Sequence, residues 1–297
     1  MNKKAFKIDF EQGSSSVSCG DVPISVNIPV TNKCNYDCSF CFGKFKQLPD
    51  WVDDSRIMEL PEILSSMGTR KITLEGGEPF LYDKTSELLK EIKRCGMTSC
   101  VITNGSLLTE GKLKSISSDL DWLGLSVDST SEKIEKELGR GNGDHINQVK
   151  KIANWCKDLD IKLKANTVVT ELNKDEDLKG LIKELDLERY KILKLLIIQG
   201  ENDHCKDKLG ISDREYYRFV ERHKSLEEKG IKVVSEDNDD MTDTYLMLLP
   251  NGKFLNNHGG NYSVSEHSIL TDDPEKAFKE AIWDSKKFIE RGGIYEY

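Results

Sequence analysis

Residues 32–42 read NKCNYDCSFCF, and the three cysteines in this run, Cys34, Cys38 and Cys41, decide how the rest of the chain is read. Their C-x3-C-x2-C spacing offers three soft thiolates from one short loop, a donor set that suits three irons of a [4Fe–4S] cube. The fourth iron is left without a protein ligand. An open metal position is where a substrate or cosubstrate binds, so the spacing points to chemistry and not to electron storage. Cys19, upstream, is the residue that would complete a four-cysteine zinc site instead. Structural zinc cysteines, however, come as paired short knuckles, and Cys19 stands alone in a polar Ser/Gly stretch.

The segments around this loop give the architecture. VPISVNIPV (22–30) reads as a buried strand leading straight into the cysteines. An apolar-periodic helix near 56–67, the strand KITLEGG, a helix near 84–95 and the strand SCVITNG follow. Next come a further helix, the strand DWLGLSVDS, the amphipathic stretch HINQVKKIANWCKDL and the strands IKLKANTVV and KILKLLIIQG. Strands alternating with helices at this spacing predict a parallel sheet of βαβ units. Six such strands fit an α/β fold of the barrel type, partial or full. Barrel enzymes carry their chemistry at the C-terminal ends of the strands, and here those ends are the cysteine loop, GGEPF, TNGS, SVDS and QGEN.

The fifth strand carries a second signal. In IKLKANTVV, Leu163, Ala165 and Val169 share one face while Lys162, Lys164 and Asn166 share the other. In a barrel the outer face packs on helices, so Lys164 and Asn166 point inward, where a charge is costly without a partner. An anionic ligand is such a partner. A solvated strand edge is the alternative that alternation alone leaves open.

Composition bounds the remaining choices. The 297 residues allow one large domain with a sizeable core at 37% hydrophobic content, and no apolar run approaches a membrane span. The start lacks an apolar signal core, and Cys95, Cys100, Cys156 and Cys205 show no paired spacing. A reducing, cytoplasmic setting with buried or inert thiols is therefore expected. The net charge of −9, with no basic stripe, argues against direct nucleic-acid binding. The expected division is an N-terminal arm over 1–20, a catalytic core over 21–200 and a C-terminal extension over 201–297 that completes the site.

C-x3-C-x2-C with Phe40 before its last cysteine, followed by GGEPF (76–80), resembles the radical S-adenosylmethionine superfamily. The ordered segments CNYDCSFCF, GGEPFL, NGSL, LGRGNG, KANTVV, LLIIQGEN, ERHK, DTYLML, FLN, SIL and ERGGIY narrow the likeness to the viperin family, from about residue 25 onward. The resemblance implies a partial (β/α)6 barrel of the TIM type and a radical dehydration. A ribonucleoside triphosphate, CTP by default, becomes its 3′-deoxy-3′,4′-didehydro form, a chain terminator in antiviral defence. It implies a [4Fe–4S] cluster on Cys34, Cys38 and Cys41, with S-adenosylmethionine near Phe40, Gly76, Gly77, Glu78 and Ser126. It places Lys71, Arg140, Lys164 and Lys191 toward the triphosphate and Asn27 and Asn166 near the nucleoside. Tyr245 falls close to the reacting sugar as a source of the last hydrogen or proton. An electron donor, not identified by the sequence, is also implied.

Three departures from the family pattern shape further expectations. Residues 1–20 lack the amphipathic stripe that ties vertebrate members to lipid, so no membrane partner is expected. The tail is shortened to Glu296 and Tyr297, and His267 stands where a lysine is expected, as a phosphate contact when protonated. The molybdopterin-precursor synthases, which also act on a purine triphosphate, need a second cysteine cluster near the C-terminus. Only Cys205 lies beyond Cys156. A metal-stabilised nucleotide-binding module without turnover is the rival from outside the enzymes.

Overall fold

Alternating apolar runs and amphipathic segments assemble one ten-stranded sheet in the computed structural model, which describes residues 22–46, 48 and 55–294. The expected arm over 1–20, Cys19, Glu296 and Tyr297 lie outside the described residues. The strands are β1 (Ser25–Thr31), β2 (Lys71–Gly76), β3 (Thr98–Thr103), β4 (Trp122–Ser126), β5 (Lys162–Val169), β6 (Arg189–Lys194), β7 (Lys232–Glu236), β8 (Leu246–Leu248), β9 (Lys253–Asn256) and β10 (Ser263–Ser268). Their order across the sheet is β10-β9-β8-β1-β2-β3-β4-β5-β6-β7. All neighbours from β1 to β7 run parallel, and β8 pairs parallel to β1 before β9 and β10 return antiparallel. The two end strands do not pair with each other, so this is a partial barrel.

Strand alternation builds the two faces. On β2, Ile72 and Leu74 are fully buried in the outer core, while Lys71, Thr73 and Glu75 line an internal cavity. On β5, Leu163, Ala165 and Val169 join the outer core and Lys164 and Asn166 line the same cavity. The inward reading of that lysine and asparagine therefore holds. Lys162, at the strand's outer end, lies over the Trp122 ring. The covering helices follow the 3.6-residue period: His145–Asp158 buries Ile146, Val149, Ile152, Ala153 and Cys156.

Two strand expectations are corrected. The sixth strand begins earlier than KILKLLIIQG suggests and ends at Lys194. Leu195, Leu196 and Ile198 leave the ladder and are buried in two satellite clusters that contain Phe40 and Phe42 of the cysteine loop. Asn202 fixes this turn by donating to Phe40 O at 2.7 Å and Leu196 O at 2.8 Å. A seventh parallel strand, β7, was not anticipated from the sequence. Residues beyond 200 thus continue the same sheet on both of its sides.

Candidate active site

The site begins with the close packing of three loops. Gly76 has φ +126°, a backbone that favours glycine, and a Cβ there would stand 2.3 Å from Thr31 O. At Gly77 a Cβ would stand 2.1 Å from Lys33 O. The absence of side chains lets Gly77 N donate to Thr31 O at 2.6 Å and Glu78 N donate to Lys33 O at 2.8 Å. From the other side, Gly139 (φ +88°) would put a Cβ 2.2 Å from Asp37 O. There Asp37 N donates to Gly139 O and Ser39 N to Leu138 O. The cysteine loop is thus clamped between the glycine turn after β2 and the LGRGNG turn.

Cys34, Cys38 and Cys41 all line the cavity, as do Phe40, Gly76, Gly77 and Ser126. Burial pushes the Cys38 thiol up to about 12 and also raises Cys41, so a bound cation is needed to hold them as thiolates. Among the described residues the one trio of ligand atoms within 4.8 Å of one another is Glu266, His267 and Glu280 at the surface. At least one pair of the three sulfurs therefore stands more than 4.8 Å apart, wider than two ligands of a single tetrahedral zinc, which are about 3.8 Å apart. A cluster with one iron per thiolate fits this loop, and the glycine turn beside it leaves backbone open to a cosubstrate.

Glu78 departs from its expected place. Its carboxylate is fully buried and braces the neighbouring loop, accepting from Thr103 Oγ1 at 2.6 Å, Asn104 N at 2.8 Å and Phe80 N at 3.1 Å. It does not line the cavity. Arg140 departs too. Its Nε donates to Asp128 Oδ2 at 2.8 Å, Glu135 Oε2 lies 3.5 Å away, and its guanidinium lies 5.6 Å from the Phe40 ring. It lines the cavity beside the cysteine loop, and its two acids already occupy it, so it is not one of the gathered cations described next. His267 lies outside the cavity, with Nδ1 against Glu280 and Nε2 2.6 Å from Lys276 Nζ.

The opposite end of the cavity is cationic. Lys71, Lys164, Arg189, Lys191 and Arg291 all line it. Burial first, and then the charges of Lys164, Lys191 and Arg189, depress the Lys71 ammonium well below the usual lysine range. Such crowding is costly without an anion to offset it. Asn166 Oδ1 and Arg291 Nε are buried and lack hydrogen-bond partners among the described residues. One carboxylate serves two of the cations: Glu236 Oε1 lies 2.6 Å from both Lys191 Nζ and Arg291 Nη1. Burial works to raise Glu236, but Lys191 and Arg291 outweigh it and hold the carboxyl down to about 2.

Tyr245 joins this group. Its hydroxyl donates to Glu236 Oε2 and accepts from Lys191 Nζ at 2.9 Å, and Arg291 lies 4.0 Å from its ring centroid. Arg189, Arg291, Glu236 and Glu75 were missed by the sequence reading. Arg189 was legible, because it lies two residues before Lys191 and therefore on the same strand face. Glu75 was legible in the same way, four residues after Lys71 on its strand, whereas Glu236 and Arg291 occur in segments whose neighbours only the fold reveals. The cavity between cysteines and cations has a volume of about 280 Å³.

A cysteine loop of this form at the mouth of a partial parallel barrel defines a radical S-adenosylmethionine enzyme, and the Radical SAM superfamily model matches residues 28–185. SuiB of Streptococcus suis bound to S-adenosylmethionine shares the fold, with a TM-score of 0.68 at 18% identity over 92% of this chain and 68% of that one. The chain is 38% identical over 290 residues to an S-adenosylmethionine-dependent nucleotide dehydratase of Flammeovirga pacifica, covering 95% of this chain and 98% of the relative. It is 33% identical over 291 residues to the S-adenosylmethionine-dependent nucleotide dehydratase RSAD2 of Danio rerio, covering 92% and 78%. The chain belongs to this family of nucleotide dehydratases, the viperins, and its cofactors are a [4Fe–4S] cluster and S-adenosylmethionine.

Proposed function

We propose that the enzyme converts a ribonucleoside triphosphate, CTP first among them, to its 3′-deoxy-3′,4′-didehydro derivative, a chain terminator in antiviral defence. The observation that carries this reading is the cavity itself, with five cationic side chains at one end and three cysteines at the other. A triphosphate is the anion that such a set of cations offsets, and a nucleotide anchored there extends its sugar toward the cysteines. Cys34, Cys38 and Cys41 hold the cluster, and Gly76, Gly77, Phe40 and Ser126 lie around S-adenosylmethionine. When bound, these cofactors supply the radical that removes a sugar hydrogen.

The chain's own residues do the rest. Lys71, Lys164, Arg189, Lys191 and Arg291 bind phosphate oxygens, with Arg geometry suited to bidentate contact. Asn27 and Asn166 orient the nucleoside. Apolar side chains along the cavity, Phe42, Phe45, Leu196 and Met247 among them, exclude water around the base. The Tyr245 hydroxyl is the candidate source of the hydrogen or proton delivered to the sugar at the end of turnover, and its hydrogen bonds to Glu236 and Lys191 hold it in position.

The electron donor is a separate protein or reductant in a cytoplasmic setting, with no nucleic-acid or membrane partner. Among the described residues no helix is long and apolar enough to cross a membrane. The test is anaerobic: cluster-reconstituted protein with reductant, S-adenosylmethionine and each of the four ribonucleoside triphosphates, followed by mass spectrometry. Loss of one water from a triphosphate in step with 5′-deoxyadenosine supports the proposal and names the base. Formation of 5′-deoxyadenosine with every triphosphate unchanged overturns it.

A further inference from the structure

Glu75 is the one carboxylate on the inward face of β2, two residues beyond Thr73 and four beyond Lys71. At about 3.3 Å per residue its Cα stands about 13 Å along the strand from that of Lys71, toward the cysteine loop. Next in the chain is Gly76, whose turn packs on that loop. Glu75 therefore lies between the cationic end and the cluster end, on the level a sugar must occupy. Its Oε2 accepts from Asn27 Nδ2 at 2.9 Å, which fixes the carboxyl in the wall of the cavity.

We propose that Glu75 recognises the ribose hydroxyls of the nucleotide and selects ribonucleotides over 2′-deoxyribonucleotides. This rests on the nucleotide reading above. A carboxyl group accepts from sugar hydroxyls with good geometry, as acidic residues do for ribose in dinucleotide folds. The phosphates are claimed by the cations, and no phosphate oxygen carries a hydrogen that a carboxylate could accept. The base has an apolar surface of its own in Phe42, Phe45, Leu196, Met247 and Tyr262. The hydroxyls of the sugar are the donors at the level of Glu75, between the cations that take the phosphates and the apolar side chains that take the base. Burial, opposed by Asn27, Lys164 and Lys191, raises its carboxyl to about 7, and an incoming hydroxyl offsets part of the cost of keeping it there.

The experiment measures binding to the cluster-reconstituted protein by anaerobic equilibrium dialysis. The ligands are the four ribonucleoside triphosphates, the 2′-deoxy counterpart of the tightest, and inorganic tripolyphosphate. The protein is compared with Glu75→Ala and Glu75→Gln. Expected is a ribose preference in the unsubstituted protein on the order of tenfold or more, the range of one hydrogen bond to a charged group. Glu75→Ala should abolish that preference while tripolyphosphate binding stays within about twofold of the parent, which also shows that the variant is folded. Glu75→Gln, which retains an acceptor oxygen, should restore part of the preference. An unchanged ribose preference in Glu75→Ala overturns the role of Glu75 and leaves the nucleotide reading standing. Failure of the unsubstituted protein to bind any ribonucleotide more tightly than tripolyphosphate overturns both.

Discussion

The Tyr245 hydroxyl donates to the Glu236 carboxylate, and that carboxylate is at the same time the counter-ion of Lys191 and Arg291. Two functions meet at one side chain. Glu236 keeps two buried cations tolerable, and by accepting the tyrosine's hydrogen bond it fixes where that hydroxyl points. Tyr245→Phe removes the hydroxyl and preserves the ring on which Arg291 lies. Product formation should fall about 100-fold, the scale of a lost proton-transfer group, with triphosphate affinity changed little. An undiminished product rate removes Tyr245 from the mechanism.

Glu236→Ala leaves Lys191 and Arg291 without their shared counter-ion. Breaking a buried ion pair from one side costs about 3–5 kcal/mol, read here as the shift in urea unfolding. Tripolyphosphate should recover much of that loss, because an anion in the cavity takes over the carboxylate's task. Equal loss with and without the anion would place these cations away from any phosphate site.

Gly77→Ala tests the clamp on the cysteine loop. The added methyl meets backbone Lys33 O at 2.1 Å, a contact no rotamer change relieves. The turn and the loop must part, so iron and sulfide per chain should drop steeply after reconstitution. Full cluster content in this variant would show that the two loops need no such approach.

Lys164→Ala removes one cation from the inward face of β5. At an intermediate dielectric a close charge pair is worth roughly 4 kcal/mol before desolvation, so a net loss of about tenfold to a hundredfold in triphosphate affinity is expected. Arg140→Ala should instead disturb the cysteine loop and its two acids, with a smaller effect on tripolyphosphate binding. The opposite ranking of the two variants would return Arg140 to the phosphate site.

Glu75 supplies a pH signature. Its folded carboxyl is raised from 4.5 to about 7, so between those values the folded protein retains a proton that the unfolded chain has lost. Its contribution to stability therefore declines as pH rises through that window and is constant above it. Glu75→Gln should match the parent near pH 4.5 and exceed it above pH 7 by up to about 3 kcal/mol. Thermal unfolding across pH measures the difference, and parallel curves would contradict it.

The parts of this molecule that were legible in its sequence are those encoded by local pattern. Cys34, Cys38 and Cys41 announce themselves by spacing, and strand alternation put Lys164 and Asn166 on the inner face. Glu78 and Arg140 show what a motif leaves open: it names which residues are near a ligand but not which way each side chain turns. Glu78 turns to Thr103 and Asn104, and Arg140 turns to Asp128, because those buried partners satisfy them. His267 was drawn away by Glu280, another partner that no local pattern reveals. Arg291 and Glu236 meet across 55 residues of chain, a pairing made where the turn after the helix Ser285–Glu290 packs on the end of β7.

The sheet order also fixes a sequence of events during synthesis. β1, which leads into the cysteine loop, has β2 on one side and β8 on the other. A ribosome-bound chain acquires the cysteine loop and glycine turn long before it acquires Tyr245, β8 or Arg291. Until then one edge of β1 is bare, an invitation to wrong pairing, and the nucleotide pocket lacks a wall. The wall that completes the cavity, with Tyr245 and Arg291, is therefore the last part of the site to be made.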